Sequence, residues 1–153
     1  MANDISEDKF GYFKSTVSFK DSSNRLCKDC VKEYIDRFNP QKSTVEFALT
    51  ENFYKPENAG LKAATEYGIK IINEGLKESG AKMRLSLLGK KDNLIEGDIR
   101  TNLISMVEDP ITRGLLGYGP SIPNPLTGEI VHARTVMFPV SYTHLTLPTK
   151  RIV

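Results

Sequence analysis

The chain has 153 residues, the length of one ordinary domain. Its 21 Lys and Arg nearly balance 19 Asp and Glu, and a formal net charge of +2 gives no electrostatic case for a nucleic-acid partner. Hydrophobic residues at 39% and charged residues at 26% suit a soluble globular domain, and no apolar run approaches the ~20 residues of a membrane span.

Residues 1–8 are polar and acidic without periodicity and read as a frayed terminus; they show neither the basic nor the apolar stretch of a signal peptide. Phe10 to Phe19 is aromatic and β-branched, with Phe13, Ser15, Val17 and Phe19 on one side, and predicts a strand. Lys20 to Asn24 is a turn cluster. Leu26 to Phe38 is ambiguous. Leu26, Cys30, Tyr34 and Phe38 recur every fourth residue, which favours a helix, yet Glu33 to Phe38 reads equally as a strand. Asn39-Pro40 ends either element, because proline pushes the residue before it out of the helical region.

Thr44 to Leu49 alternates Val45, Phe47 and Leu49 against Glu46 and Ala48, a strand pattern. Asn52 to Asn58 carries Pro56 and is a connection. Ala59 to Ser79 is the clearest helix, with Leu61, Ala64, Gly68, Ile71, Ile72, Gly75 and Ser79 forming a stripe. Gly68 and Gly75 each cost roughly 1 kcal/mol in helix propensity relative to Ala, a cost that close approach to a sheet would explain. Ser79-Gly80 stops the helix. Lys82 to Leu88 predicts a strand, Gly89 to Gly97 a polar loop, and Asp98 to Val107 a further strand of less clean period. Glu108 to Thr127 reads as a long Pro- and Gly-bearing loop, and loops of that length are usually functional or disordered. Gly128 to Phe138 predicts a last strand, with Ile130, His132, Arg134 and Val136 on one face and Val131, Ala133, Thr135 and Met137 on the other.

This order predicts an α/β fold: a mixed sheet of about four strands with one long helix and a right-handed crossover between the first two strands. Residues 1–43 form an N-terminal strand-containing extension, and residues 44–139 the main unit. Residues 140–153 (VSYTHLTLPTKRIV) resemble the translated read-through of a transposon-type sequencing adapter over ten consecutive residues, VSYTHLTLPT. The competing reading is a natural Thr-rich edge strand over Ser141 to Leu147. Setting the tail aside as foreign removes Lys150 and Arg151, which brings the basic residues level with the 19 acidic ones. The expectation is then that the chain is a piece of a longer protein.

Few residues offer chemistry. Cys27-x-x-Cys30 has the spacing of half a zinc or redox site, but a structural zinc site takes four ligands and the remaining candidates are His132, far off in sequence, and His144 in the tail. The cluster from Gly114 to Ser121 lacks the Gly-Lys-Ser/Thr of a phosphate loop, and Pro120 and Pro123 would break the helix such a loop needs. His132 lies mid-strand with no orienting partner in view, so it reads as a buried or edge-facing strand residue and not a base. Glu96, Asp98, Glu108 and Asp109 read as solvated turn residues, and Lys90-Lys91 is too short a basic run to matter.

Two motifs are more specific. GDIRTNLISMVEDP, from Gly97, and GLLGYGPSIPNPLTGEIVHARTVMF, ending at Phe138, resemble the segment upstream of the zinc-binding helix in bacterial zinc-dependent metallopeptidases of the metzincin type. The matching residues are Gly97, Asp98, Ile99 and Arg100, then Gly117 to Ser121, then Asn124, Pro125, Thr127, Gly128, Glu129 and Ile130. The resemblance extends over Thr44 to Phe138 and is weaker over Phe10 to Phe38. It implies a partial metzincin-like N-terminal subdomain whose parent hydrolyses peptide bonds of a peptide or protein substrate with a zinc-activated water, and whose members are commonly exported. The family's metal site rests on H-E-x-x-H with a further His. That motif is absent here, and the match breaks off at Phe138-Pro139, so no catalytic residue and no zinc ligand carries over and the chain by itself is expected to be inactive. What the resemblance does imply is an edge strand near the cleft that takes extended substrate by strand addition. Glu129, Ile130, Val131, His132, Ala133 and Arg134, within the strand Glu129 to Met137, are the candidate substrate-binding residues, with Gly114 to Thr127 as the cleft rim. Which strand is the edge one stays open in the sequence. The rival reading is a non-enzymatic α/β module that binds peptides along an exposed strand.

Overall fold

A computed structural model describes residues 13–108 and 115–139. The predicted frayed terminus and the adapter-like tail, with His144, lie outside the described residues.

The first two strands, β1 (Lys14–Lys20) and β2 (Leu26–Ile35), form an antiparallel hairpin of their own. Its turn is closed by Asp21, whose carboxylate accepts the Ser23 and Arg25 N–H groups at 2.8 and 3.0 Å, and Asn24 takes φ 60°. The helical spacing over Leu26 to Phe38 is therefore overturned. A period of four satisfies a strand as well as a helix, since every second residue of a strand also shares a face. Pairing of Lys14 through Ser18 with Val31 through Ile35 decides the matter.

The main sheet holds six strands: β3 (Thr44–Leu49), β4 (Arg84–Leu87), β5 (Asn102–Met106), β6 (Gly117–Tyr118), β7 (Ser121–Pro123) and β8 (Ile130–Met137). The spatial order is β4-β3-β5-β8-β6, with β7 also paired to β8. Strands β3, β4, β5 and β8 are mutually parallel, while β6 and β7 run antiparallel to β8. The predicted α/β class and mixed sheet hold, with more strands than the pattern suggested. Between β3 and β4 lies one long helix, α1 (Ala59–Glu78), reached through two short 3-10 turns at Glu51–Tyr54 and Pro56–Asn58. Gly80, at φ 77°, ends the helix where the sequence places its stop.

The core is built from Val45, Phe47, Leu49, Phe53, Ile104 and Met106, with Leu61 and Ile69 of α1 and Leu85 and Leu87 of β4 packed against it. Helix α1 docks through Leu61, Thr65, Ile69, Asn73 and Leu76, which are part-buried; of the predicted stripe only Leu61 belongs to this face. The rest of that stripe lies roughly a quarter turn away. Ile71 and Ile72 are 46% and 49% exposed, and a Cβ on Gly68 or Gly75 would meet nothing within 4 Å. The two glycines thus serve no close approach to the sheet. Two polar residues, Thr65 and Asn73, sit on the docking face, so hydrophobicity alone points the wrong way around the helix.

Strand β5 begins later than predicted. Asp98 to Thr101 is a turn in which the Asp98 carboxylate accepts the Arg100 N–H at 2.9 Å and grips its guanidinium. The predicted loop Glu108 to Thr127 holds two short strands, β6 and β7. They follow one register along β8, from Gly117 opposite Met137 to Ile122 opposite His132. The break between them is Pro120, whose carbonyl accepts the Arg134 N–H at 2.9 Å but whose ring nitrogen has no hydrogen to return.

The hairpin meets the main sheet at Arg37, which bridges to Glu129. Gly128 permits this approach. It has φ 72°, and a Cβ there would stand 2.4 Å from the Ile35 carbonyl oxygen.

Candidate functional site

The candidate strand Glu129 to Met137 is not an edge. Strand β8 has β5 on one side and β6 and β7 on the other. Its side chains are largely committed too. Glu129 lies 3.9 Å from Lys42, and the Arg134 guanidinium donates to Ser105 Oγ at 2.9 Å and to Glu96. Ala133 packs on the core and its N–H donates to Asn102 Oδ1. His132 is 6% exposed, and its Nδ1 is buried without a hydrogen-bond partner. Ile130 and Val131 line a cavity, shared with Asn102 and Thr44.

The edge next to β8 is the segment 116–123, inside the predicted cleft rim. Phe138 N–H donates to Leu116 O at 3.0 Å and Arg134 N–H to Pro120 O, so Leu116, Tyr118, Pro120 and Ile122 turn their backbones inward. Alternation turns the backbone groups of Gly117, Gly119 and Ser121 outward, away from β8. Gly117 cannot carry a side chain, since a Cβ would lie 2.4 Å from the Val136 carbonyl oxygen. Leu116, Tyr118 and Ile122 share one face and are 40%, 52% and 47% exposed, with the Tyr118 ring centroid 6.0 Å from that of Phe138. Among the described residues no strand pairs with this outer side, which leaves an antiparallel edge with an apolar row beside it, a surface able to take one more extended strand. Sequence reasoning missed the strand because Gly and Pro dominate it; the signal it did carry was Tyr118 and Ile122 at even spacing.

Three carboxylates read as solvated turn residues prove to be held: Glu96 by Arg134, and Glu108 and Asp98 as follows. Glu108 accepts from Lys55 Nζ at 2.7 Å and from Asn58 Nδ2 at 2.8 Å, and these bonds hold its carboxyl below its ordinary range. Asn52 Nδ2 donates to Met106 O and Met106 N–H to Thr50 Oγ1, so this polar group ties the turns ahead of α1 to the end of β5. The Arg100 side chain, followed by its backbone N–H, draws the Asp98 carboxyl down to about 2.

Among the described residues no three His, Cys, Asp or Glu side chains stand together in a way that would hold a metal ion, and Cys30 is disulfide-bonded. No helix among the described residues is long and apolar enough to cross a membrane.

The class defined by this geometry is an α/β sheet protein whose antiparallel strands at 117–123 are unpaired on their outer side among the described residues. No family model, no curated protein and no solved structure matches the chain.

Proposed function

We propose that this chain is the peptide-binding part of a zinc-dependent metallopeptidase catalytic domain, inactive by itself. The observation that carries the reading is a coincidence of motif and position. Gly117-Tyr118-Gly119-Pro120-Ser121, which bears most of the resemblance, is also the segment that forms the open edge. An extended substrate would lie along 117–121 in strand register, bonded to the outward groups of Gly117, Gly119 and Ser121. Its side chains would meet Leu116, Tyr118 and Ile122, exposed on one face. In the parent, zinc would supply the activated water; its ligands lie outside the described residues.

Two measurements test this. The reading frame that continues after Phe138-Pro139 at the genomic locus should encode H-E-x-x-H within a few tens of residues, and a long frame without it overturns the enzyme reading. Amide exchange at Gly117, Gly119 and Ser121 should slow when an extended peptide is added, and unchanged exchange overturns the edge. A non-enzymatic peptide-binding module is the second reading, favoured by an edge and apolar row that are complete within the described residues. A slowed exchange together with a frame lacking the motif would select it.

A further inference from the structure

The two strands of the hairpin do not keep one register. From Lys14 opposite Ile35 to Ser18 opposite Val31, β1 and β2 advance in step. Two residues further along β1, Lys20 stands opposite Leu26, five residues from Val31. Strand β2 therefore carries three more residues than β1 over this stretch, and Cys27-Lys28-Asp29-Cys30 lies within it.

Covalent geometry accounts for the excess. Cys30 is disulfide-bonded, no described cysteine is free, and the other cysteine of the chain is Cys27. A disulfide holds its two Cα atoms roughly 4.4–6.8 Å apart, whereas three steps of strand cover about 10 Å. A chain bridged from Cys27 to Cys30 cannot also run straight between them, so the bond gathers β2 and breaks the ladder.

The same residues fit the unbroken ladder. Asp36 N–H donates to Phe13 O, so in this register odd residues of β1 form hydrogen-bonded pairs with even residues of β2. Continued past Ser18, the ladder bonds Phe19 to Cys30 and Asp21 to Lys28. It sets Lys20 against Asp29 in the closer, non-hydrogen-bonded kind of pair. Lys20 with Asp29 and Asp21 with Lys28 are both pairs of opposite charge, which favour strand pairing. The turn would then move from 21–25 to 23–26.

We infer that Cys27 and Cys30 form a redox switch that sets the register of the hairpin tip. A thiolate of a dithiol reductant attacks one sulfur, a mixed disulfide forms, and the second thiol of the reductant resolves it. Two electrons and two protons pass to the protein, which gains two thiols, and the reductant leaves as its cyclic disulfide. With the bridge open, β2 extends and Asp21 exchanges the Ser23 and Arg25 N–H groups, which its carboxylate accepts in the oxidised chain, for Lys28. The bridge between Arg37 and Glu129 lies at the far end of the hairpin, so the main sheet keeps its structure.

The test is NMR of the full chain, air-oxidised and then reduced with dithiothreitol, with thiols counted in both states. The oxidised chain should show no reactive thiol and a close Hα–Hα contact between Lys20 and Leu26. Reduction should give two thiols, replace that contact by one between Lys20 and Asp29, and speed exchange of the Arg25 amide about tenfold. Exchange at Leu103 should not change. The double variant Cys27→Ser, Cys30→Ser should show the Lys20 to Asp29 contact without reductant. Two thiols in the oxidised chain, or a Lys20 to Leu26 contact that survives reduction or the double variant, would overturn the inference. So would loss of that contact with none to Asp29 in its place, since the tip would then merely fray.

Discussion

Asn73 of α1 and Leu85 of β4 exchange two hydrogen bonds: Asn73 Nδ2 donates to Leu85 O at 2.8 Å, and Leu85 N–H donates to Asn73 Oδ1 at 2.7 Å. The carboxamide thus acts as a piece of neighbouring strand along the outer side of β4. One end of the sheet is covered by its own helix at this point, whereas the end formed by 116–123 has no such cover among the described residues. Unpaired edges invite strand addition, and the proposed peptide would therefore meet the side formed by 116–123.

Replacing Asn73 by Leu leaves both Leu85 backbone groups without these partners. Stability should fall by about 1–3 kcal/mol, the cost of part-buried groups losing their bonds. A denaturant melt reads the loss, and amide exchange at Leu85 should accelerate.

Gly128→Ala places a methyl against the Ile35 carbonyl and forces a non-glycine residue to φ 72°. The expected cost exceeds about 1 kcal/mol. The bridge between Arg37 and Glu129 should weaken first, so exchange at the Arg37 and Ile130 amides should quicken more than at Leu103 in the sheet centre.

The Asp98 carboxyl should titrate near 2, against an ordinary value of 3.8, because Arg100 favours its charged form. A carboxyl depressed in the folded state contributes stability that is full above its unfolded value and is lost as pH falls through the folded one. Relative to Asp98→Asn, the unchanged chain should therefore keep its advantage down to about pH 4 and lose it toward pH 2. A carboxyl carbon NMR titration with a midpoint at 3.8 or above would refute the pairing.

Gly117→Ala drives a Cβ into the Val136 carbonyl and should lift β6 from β8. Protection of the Ser121 amide by an added peptide should disappear, while the far-ultraviolet circular dichroism of the sheet and helix stays. Retained protection in this variant would show that the peptide does not use this edge.

Much of the fold is legible in local pattern. Alternation marks β3 over Thr44–Leu49, and the helix and its stop at Gly80 follow from spacing and a single glycine. Strands β4 and β8 lie within their predicted stretches. These features are local: period, breaker residues and caps act within a few residues of chain. Pairing is not local. That β8 is internal, that a Gly- and Pro-bearing loop is the edge, that Asn73 and Asn102 stand in for peptide units, and that α1 docks on a face containing Thr65 and Asn73 are each settled by which backbone groups meet across the sheet. Hydrogen-bond partners distant in sequence leave no periodic trace in either strand, so tertiary structure alone decides where this protein has room for another chain.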